Sequence, residues 1–531
     1  MSDESVTKDP QEEILKVESK QKIYFRFVTY LAFFLVIFGV GLPTWLSTTS
    51  IPKELLMVDK MVEYEHNIYD NLKIAVPVYV NLPLESADDS VIEQSQAFLN
   101  KYLDELISNE LPLQFRYEIN LINNHNDKNL DAYKHYIVNI QRHQNNNDGG
   151  SLHISPYSKE ITISTGDDLL AIDTADFVAK SLVHEVFRYE LELYSGKSKD
   201  TQMAFETGAN YHLSFFLLNG DGDYISWDFK DFYDQYLGGF LELISTFANF
   251  TVDSQIEYYS TLTNVPRFNE SENAYLLYEG DTSVFVNHEK WNLDNNVLIS
   301  SSNDKSLAFL NMILYVPSKE FQPLKVKGSK TNSFITPQYG GIQILNLRTD
   351  EKFQNASANN ILTVEDLQPI FEIFISQIFT LLGLPKHPKS PYIRLDFLTR
   401  YFIINNLVKS TNNLGSLVRL INSLPSISIP NNTQKHVLNS FESIDRSIAY
   451  LKEFNLKESS QSANTALVES NLAFFEKEMV QQIYFPEEHK FAVYSPLLGP
   501  IATILFLGLV RLSQDVKTLK KHYWNKKVKL N

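Results

Sequence analysis

The sequence predicts a lumenal α/β domain with a helical C-terminal part, flanked by two transmembrane helices, one near each terminus. Three observations carry that prediction: an uncharged apolar run near each end, a first two-thirds in which short strand patterns alternate with helical ones, and a last third at helical period. With 531 residues, 44% hydrophobic and 21% charged, the composition is that of a folded protein. A formal charge of −17 argues against nucleic acid as a partner. The chain has no cysteine, which excludes disulfides, thiolate metal sites and a cysteine nucleophile.

Residues 1–26 read as a cytoplasmic tail carrying Lys16, Lys20, Lys22 and Arg26. From Phe27 to Pro52 nothing is charged, and the apolar part, 27–46, is FVTYLAFFLVIFGVGLPTWL. Twenty helical residues rise about 30 Å, the thickness of a bilayer's hydrocarbon core. The long polar lead and the lack of a small-residue exit around Thr44–Thr49 distinguish this run from a cleaved signal peptide.

Residues 47–361 read as the lumenal α/β region. Lys73–Val80 is short and β-branched, with Pro77 suggesting an edge or a bulge. Asp88–Ser108 has helical spacing, and Leu113–Leu121 alternates like a half-buried strand. Tyr136–Ile140 and Glu160–Ser164 are similar strands around a turn-rich stretch at 145–150. Asp173–Tyr194 is helical and Ala204–Leu218 extended, followed by strands at Leu307–Val316 and Phe334–Asn346. No internal repeat is visible.

Residues 362–490 read as mainly helical. Ile373–Pro385 is an uncharged run of core-helix length, and Phe397–Leu424 and Lys435–Phe454 keep helical period, broken at Pro425 and Pro430. Glu469–Tyr484 leads as a helix into the second uncharged run, 491–510. The tail 511–531 carries seven Lys or Arg against the single Asp515. Flanking positive charge therefore puts both termini in the cytoplasm and the body on the other side of the membrane. Four glycosylation sequons, at Asn249, Asn269, Asn355 and Asn431, all lie in that body. Lys529 and Lys527, third and fifth from the end, are spaced like a dilysine retrieval signal, or simply like a basic membrane flank.

Chemistry is sparse. Asp221-Gly222-Asp223 reads either as a tight turn or as the paired carboxylates that hold a metal on a nucleotide sugar, the mark of a membrane-anchored glycosyltransferase. His184-Glu185 opens like a zinc-protease helix, but Arg188 stands where the second histidine would be. No cofactor, metal or catalytic site is expected in this chain.

The ends are more specific. Gly41-Leu-Pro-Thr-Trp-Leu-Ser-Thr-Thr49 resembles a signature of the PIG-S family, and so does the block Glu478–Pro500, with YFPEEHKFAVYSPL at its core. Ile74–Tyr79, Phe334–Ile342 (FITPQYGGI), Gln377–Pro385 and Asn405–Ile429 are similar to the same family. The resemblance implies a non-catalytic subunit of the GPI transamidase. It implies as partners a caspase-like catalytic subunit, a peptidase-like subunit, a β-sandwich subunit and a multi-span subunit, together with membrane lipid. It brings no catalytic residues.

Overall fold

The computed structural model describes residues 10–49, 56–82, 89–124, 130–143, 150–166, 171–197, 205–262, 264–278, 307–424, 429–477, 479, 496 and 499–517. They fall into two units, one drawn from 1–57, 419–434 and 475–531, the other from 58–418 and 435–474.

The first unit holds the two apolar helices. α1 (Pro10–Leu35) continues through a π turn, Val36–Gly41, into α2 (Leu42–Thr49). The widened turn has a local cause. Pro43 has no N–H for the Gly39 carbonyl and its ring crowds that turn, so the bonding shifts and Leu42 N–H reaches Ile37 O, five residues back. The stretch Lys22–Thr44 has mean hydropathy 2.1, and the C-terminal apolar helix, Gly499–Lys517, has 1.2. Both are long and apolar enough to cross a bilayer. The second runs past the expected end at Val510 to Lys517.

The second unit begins with α3 (Val58–Asn71). There follow β1 (Lys73–Asn81), α4 (Asp89–Asn109), β2 (Arg116–Asn123), β3 (Tyr136–His143), β4 (Ser151–Ile154) and β5 (Glu160–Gly166). A long helix closes this part: α5 (Ala171–Lys180), a π segment Ser181–Phe187, and α6 (Arg188–Tyr194). The sheet order is β2-β1-β3-β5-β4, parallel except for β4, which runs antiparallel on β5. Burial alternates along β1: Ile74, Val76, Val78 and Val80 face inward, where α4 reaches β2 through Gln96, which donates to Ile119 O and accepts from Leu121 N–H.

Pro77 therefore stands in an interior strand and not at an edge. Arg116 N–H bonds Leu72 O and Asn124 N–H bonds Val80 O, so the even-numbered residues of β1 serve β2 and Pro77 faces β3. Pairing with β3 starts only at Val78, and no ladder donor is lost there.

The chain continues with β6 (Asn210–Asn219), β7 (Ser226–Trp227), α7 (Phe229–Phe232), α8 (Gly238–Ile244), β8 (Asn249–Glu257), β9 (Arg267–Asn269), β10 (Ala274–Leu277) and β11 (Ala308–Val316). β12 (Leu324–Val326), β13 (Ser333–Thr336), β14 (Gly340–Ile344), α9 (Gln354–Asn359), β15 (Ile361–Leu362) and α10 (Val364–Leu381) complete it. The second large sheet has the order β13-β14-β11-β6-β8, again parallel except for an antiparallel edge, β13 on β14. Counted from its own first strand, each sheet runs second-first-third-fifth-fourth, with the fourth strand as the reversed edge. The fold repeats although no repeat is legible in the sequence. The expected single strand Phe334–Asn346 is a hairpin, because Pro337 and Gln338, the latter at φ 61°, turn the chain before Gly340.

Three helices follow: α11 (Pro391–Ser423), α12 (Asn431–Lys452) and α13 (Leu456–Phe474). The first part of the expected helix Glu469–Tyr484 belongs to α13, which starts earlier, at Leu456, and ends at Phe474; residues 480–484 lie outside the described residues. Phe454 at φ 58° breaks the chain from α12, and Asn455 caps the new helix by accepting Glu458 N–H at 3.4 Å.

Candidate functional site

β6 runs into the Asp-Gly-Asp segment, whose carboxylates have local partners. Asn219 Oδ1 accepts Asp221 N–H at 3.1 Å, and its Nδ2 donates to Asp223 O at 2.6 Å. A Cβ at Gly220 would lie 2.6 Å from Ser318 N, so this glycine is required by close approach of backbone, whereas one at Gly222 would meet only the exposed Tyr259 ring. Asp221 Oδ2 accepts Lys319 N–H at 2.8 Å, while Asp223 meets Lys319 Nζ at 2.9 Å and the Arg348 guanidinium. The Lys319 hydrogen bond, backed by Arg348, holds the Asp223 carboxyl below its ordinary range. A metal ion here would have to displace two protein cations. The geometry is that of a turn tying β6 to the segment after β11.

Two sequence blocks meet in one contact. Gly340, at φ 155°, lies against β11, where a Cβ would fall 1.8 Å from Asn311 O. A Cβ on Gly341 would fall 2.2 Å from Gln377 Oε1 of α10. Gln377 Nε2 donates to Phe334 O at 3.1 Å and Ile342 O at 3.4 Å. The Tyr-Gly-Gly-Ile and Gln377–Pro385 blocks are thus two halves of one helix-on-sheet joint.

Sequence reading missed a buried ionic cluster. Arg400 of α11 donates through Nε and Nη2 to the two oxygens of Glu190 in α6, at 2.6 and 2.8 Å, and both side chains are 0% exposed. Tyr117 and Tyr194 hydroxyls donate to the same carboxylate at 2.7 and 2.6 Å, and Arg400 also donates to the Tyr136 hydroxyl at 3.3 Å. Burial disfavours the Arg400 charge, but Glu190 outweighs it and holds the guanidinium above its ordinary range; burial pushes all three phenols up. Beside it, buried Lys159 pairs with Asp396 at 2.6 Å. These contacts fasten α11 to the first sheet. The partners are more than 200 residues apart, and no local signal announces them. Arg188, the residue that spoils the zinc motif, pairs with Glu192 and Glu110.

The sequons are spread over the unit and its neighbour. Asn249 opens β8 and is exposed, and the Thr251 hydroxyl of its sequon lies 2.6 Å from His212 Nδ1. Asn269 is half-buried and accepts from Ser271 N–H and Oγ at 2.9 and 2.7 Å. Asn355 and Asn431, on α9 and at the start of α12, are exposed. Lys527, Lys529 and the core of the Glu478–Pro500 block lie outside the described residues.

No reactive constellation is built by these residues; the motif positions are packing devices. The family model for phosphatidylinositol-glycan biosynthesis class S protein, PIG-S, matches residues 32–518. The chain belongs to the PIG-S family. The GPI transamidase component GPI17 of Saccharomyces cerevisiae is 29% identical over 504 residues, 90% of each chain. The GPI-anchor transamidase component PIGS of Rattus norvegicus is 30% identical over 345 residues, 61% of each chain, and that of Homo sapiens 29% over 340, 60% of each. None of these PIG-S relatives is named as a sugar transferase, and the Asp221–Asp223 turn gives that alternative no support.

Proposed function

We propose that this PIG-S protein is a non-catalytic subunit of the endoplasmic-reticulum GPI transamidase, supporting the attachment of GPI anchors to the carboxyl ends of precursor proteins. The observation that carries the reading is similarity running almost end to end, to the family over 32–518 and to yeast GPI17 over 90% of the chain. Chemistry agrees with the division of labour. A chain without cysteine cannot supply a thiolate nucleophile, which agrees with cleavage by the caspase-like partner that the family resemblance implies. The other partners in this reading are a peptidase-like, a β-sandwich and a multi-span subunit.

The same reading makes both apolar helices membrane spans, with both termini cytoplasmic and the body lumenal. The basic residues flanking the two runs support that orientation. Exposure favours Asn249, Asn355 and Asn431 as glycan acceptors over Asn269, and Lys527 with Lys529 would return the protein to the endoplasmic reticulum.

Affinity purification in mild detergent tests the assignment: a stable multi-subunit assembly is expected, and depletion of the chain should remove GPI-linked proteins from the cell surface. A lone chain with surface GPI proteins unchanged refutes it. In sealed microsomes, end tags should be cut by added protease while endoglycosidase raises gel mobility.

A further inference from the structure

Within the first unit the two apolar helices touch, and the residues they shield form a periodic seam. Among residues 22–44 only Ile23, Tyr30 and Ile37 are half-buried, and among 501–517 only Leu505, Gly508, Leu512 and Asp515 are half-buried or buried. The spacings are seven and seven on one helix, and three, four, three on the other. Such spacing keeps each set on a single stripe of its helix, the pattern of helices packed along their length. The direction follows from two contacts. Arg26 lies 3.7 Å from Asp515, and the Tyr30 ring lies where a Cβ on Gly508 would be, 2.7 Å from Tyr30 Cε1. Numbers rise along one helix as they fall along the other, so the pair is antiparallel. Gly508 has no side chain to hold the ring away, which is how small residues bring helices together in lipid. Asp515, the single acid of the basic tail, has its side chain only 17% exposed.

We infer that the two spans form one antiparallel membrane hairpin, with a heptad-spaced seam through Tyr30 and Gly508, closed by Arg26–Asp515 at the face bearing both termini. Along this seam each span's partner is the chain's other span, so other subunits and lipid meet the remaining faces. The inference rests on the membrane reading above.

The natural absence of cysteine makes the test clean. Full-length protein carrying Tyr30→Cys and Gly508→Cys is treated in microsomes with a short bis-methanethiosulfonate linker, and free thiols are then counted by polyethylene-glycol maleimide. Most alkali-resistant chains should lose both thiols and remain monomeric. A control pair, Leu31→Cys with Leu509→Cys, on positions 52% and 58% exposed, should keep both. Equal linking of the two pairs, no linking of the seam pair in membrane-retained protein, or linking to a second polypeptide overturns the hairpin. Extraction of the protein by alkali would instead defeat the membrane reading itself. In the seam-cysteine background, Arg26→Asp should cut linking several-fold and added Asp515→Arg should restore it; linking indifferent to both changes overturns the clamp.

Discussion

The two five-stranded sheets share one strand order and differ in what covers their outer faces. In the first, the outer positions of β1 are Lys73, Ala75, Pro77 and Tyr79, all only half-buried, and the strand alternates. In the second, β6, β11 and β14 are buried on both faces. Their inner face carries Phe215, Leu217 and Met312 against Phe371 and Phe374 of α10. Their outer face carries Phe216, Leu218, Ile313 and Ile342 against Leu277 and Leu324. Those last two residues belong to a three-stranded sheet, β12-β10-β9, inserted between strands of the second unit. One topology thus supports two chemistries. The insertion turns a two-layer unit into a three-layer one, and the strands beneath become apolar on both sides. The uncovered unit joins α11 through buried ions, whereas the covered one contributes Phe247 and Tyr211 to a shared apolar core with Phe402.

That contrast can be broken most severely at Arg400. Arg400→Met strands the Glu190 carboxylate among tyrosines and should cost about 3–5 kcal/mol, seen as a large fall in melting temperature of the purified chain. Pairing it with Glu190→Leu should recover most of the loss, since no unpaired buried charge then remains at that joint. Next comes the outer face itself. Phe216→Ala should cost about 3 kcal/mol, while Tyr79→Ala at the matching strand of the first sheet should cost about 1 kcal/mol; equal losses would mean that the small sheet is no real cover. Gly341→Ala probes how closely α10 lies on β14, and pushing Gln377 aside should cost about 1–3 kcal/mol by chemical denaturation. The smallest effect is expected at the turn after β6. Asp221→Asn with Asp223→Asn should leave GPI attachment near wild type at neutral pH. Because Lys319 holds the Asp223 carboxyl low, its contribution is present above the ordinary carboxylate range and lost as pH falls through the lowered value. The double variant should therefore show a flatter stability profile in acid.

How much of this was legible depended on solvent. β1 and β5 could be read because one face meets water or polar neighbours, and Ile161 and Ile163 alternate with Glu160, Thr162 and Ser164. β9, β10 and β12 could not, since strands of three or four residues exist through pairing with distant segments. The repeat is invisible because β1, read as KIAVPVYVN, and β6, read as NYHLSFFLLN, answer to different surroundings. The Asp-Gly-Asp turn was one of the two readings the sequence offered, through its Gly and Asx chemistry. The Arg400–Glu190 joint was not, because nothing near either residue encodes a partner in another helix.

The placement of α3 has a consequence for biosynthesis. Its Tyr64 packs on Phe441, ring centroids 5.0 Å apart, and donates to Asp445, 381 residues later; Glu65 lies against Gly415. At about 5–20 residues per second, the ribosome takes on the order of 20–80 s to deliver that surface after α3 has emerged. Throughout that interval Tyr64 lacks its native partners on α12. The packing of α3 on α12 therefore forms only after α12 has been made, and a message truncated before residue 435 yields a body in which α3 has lost that surface.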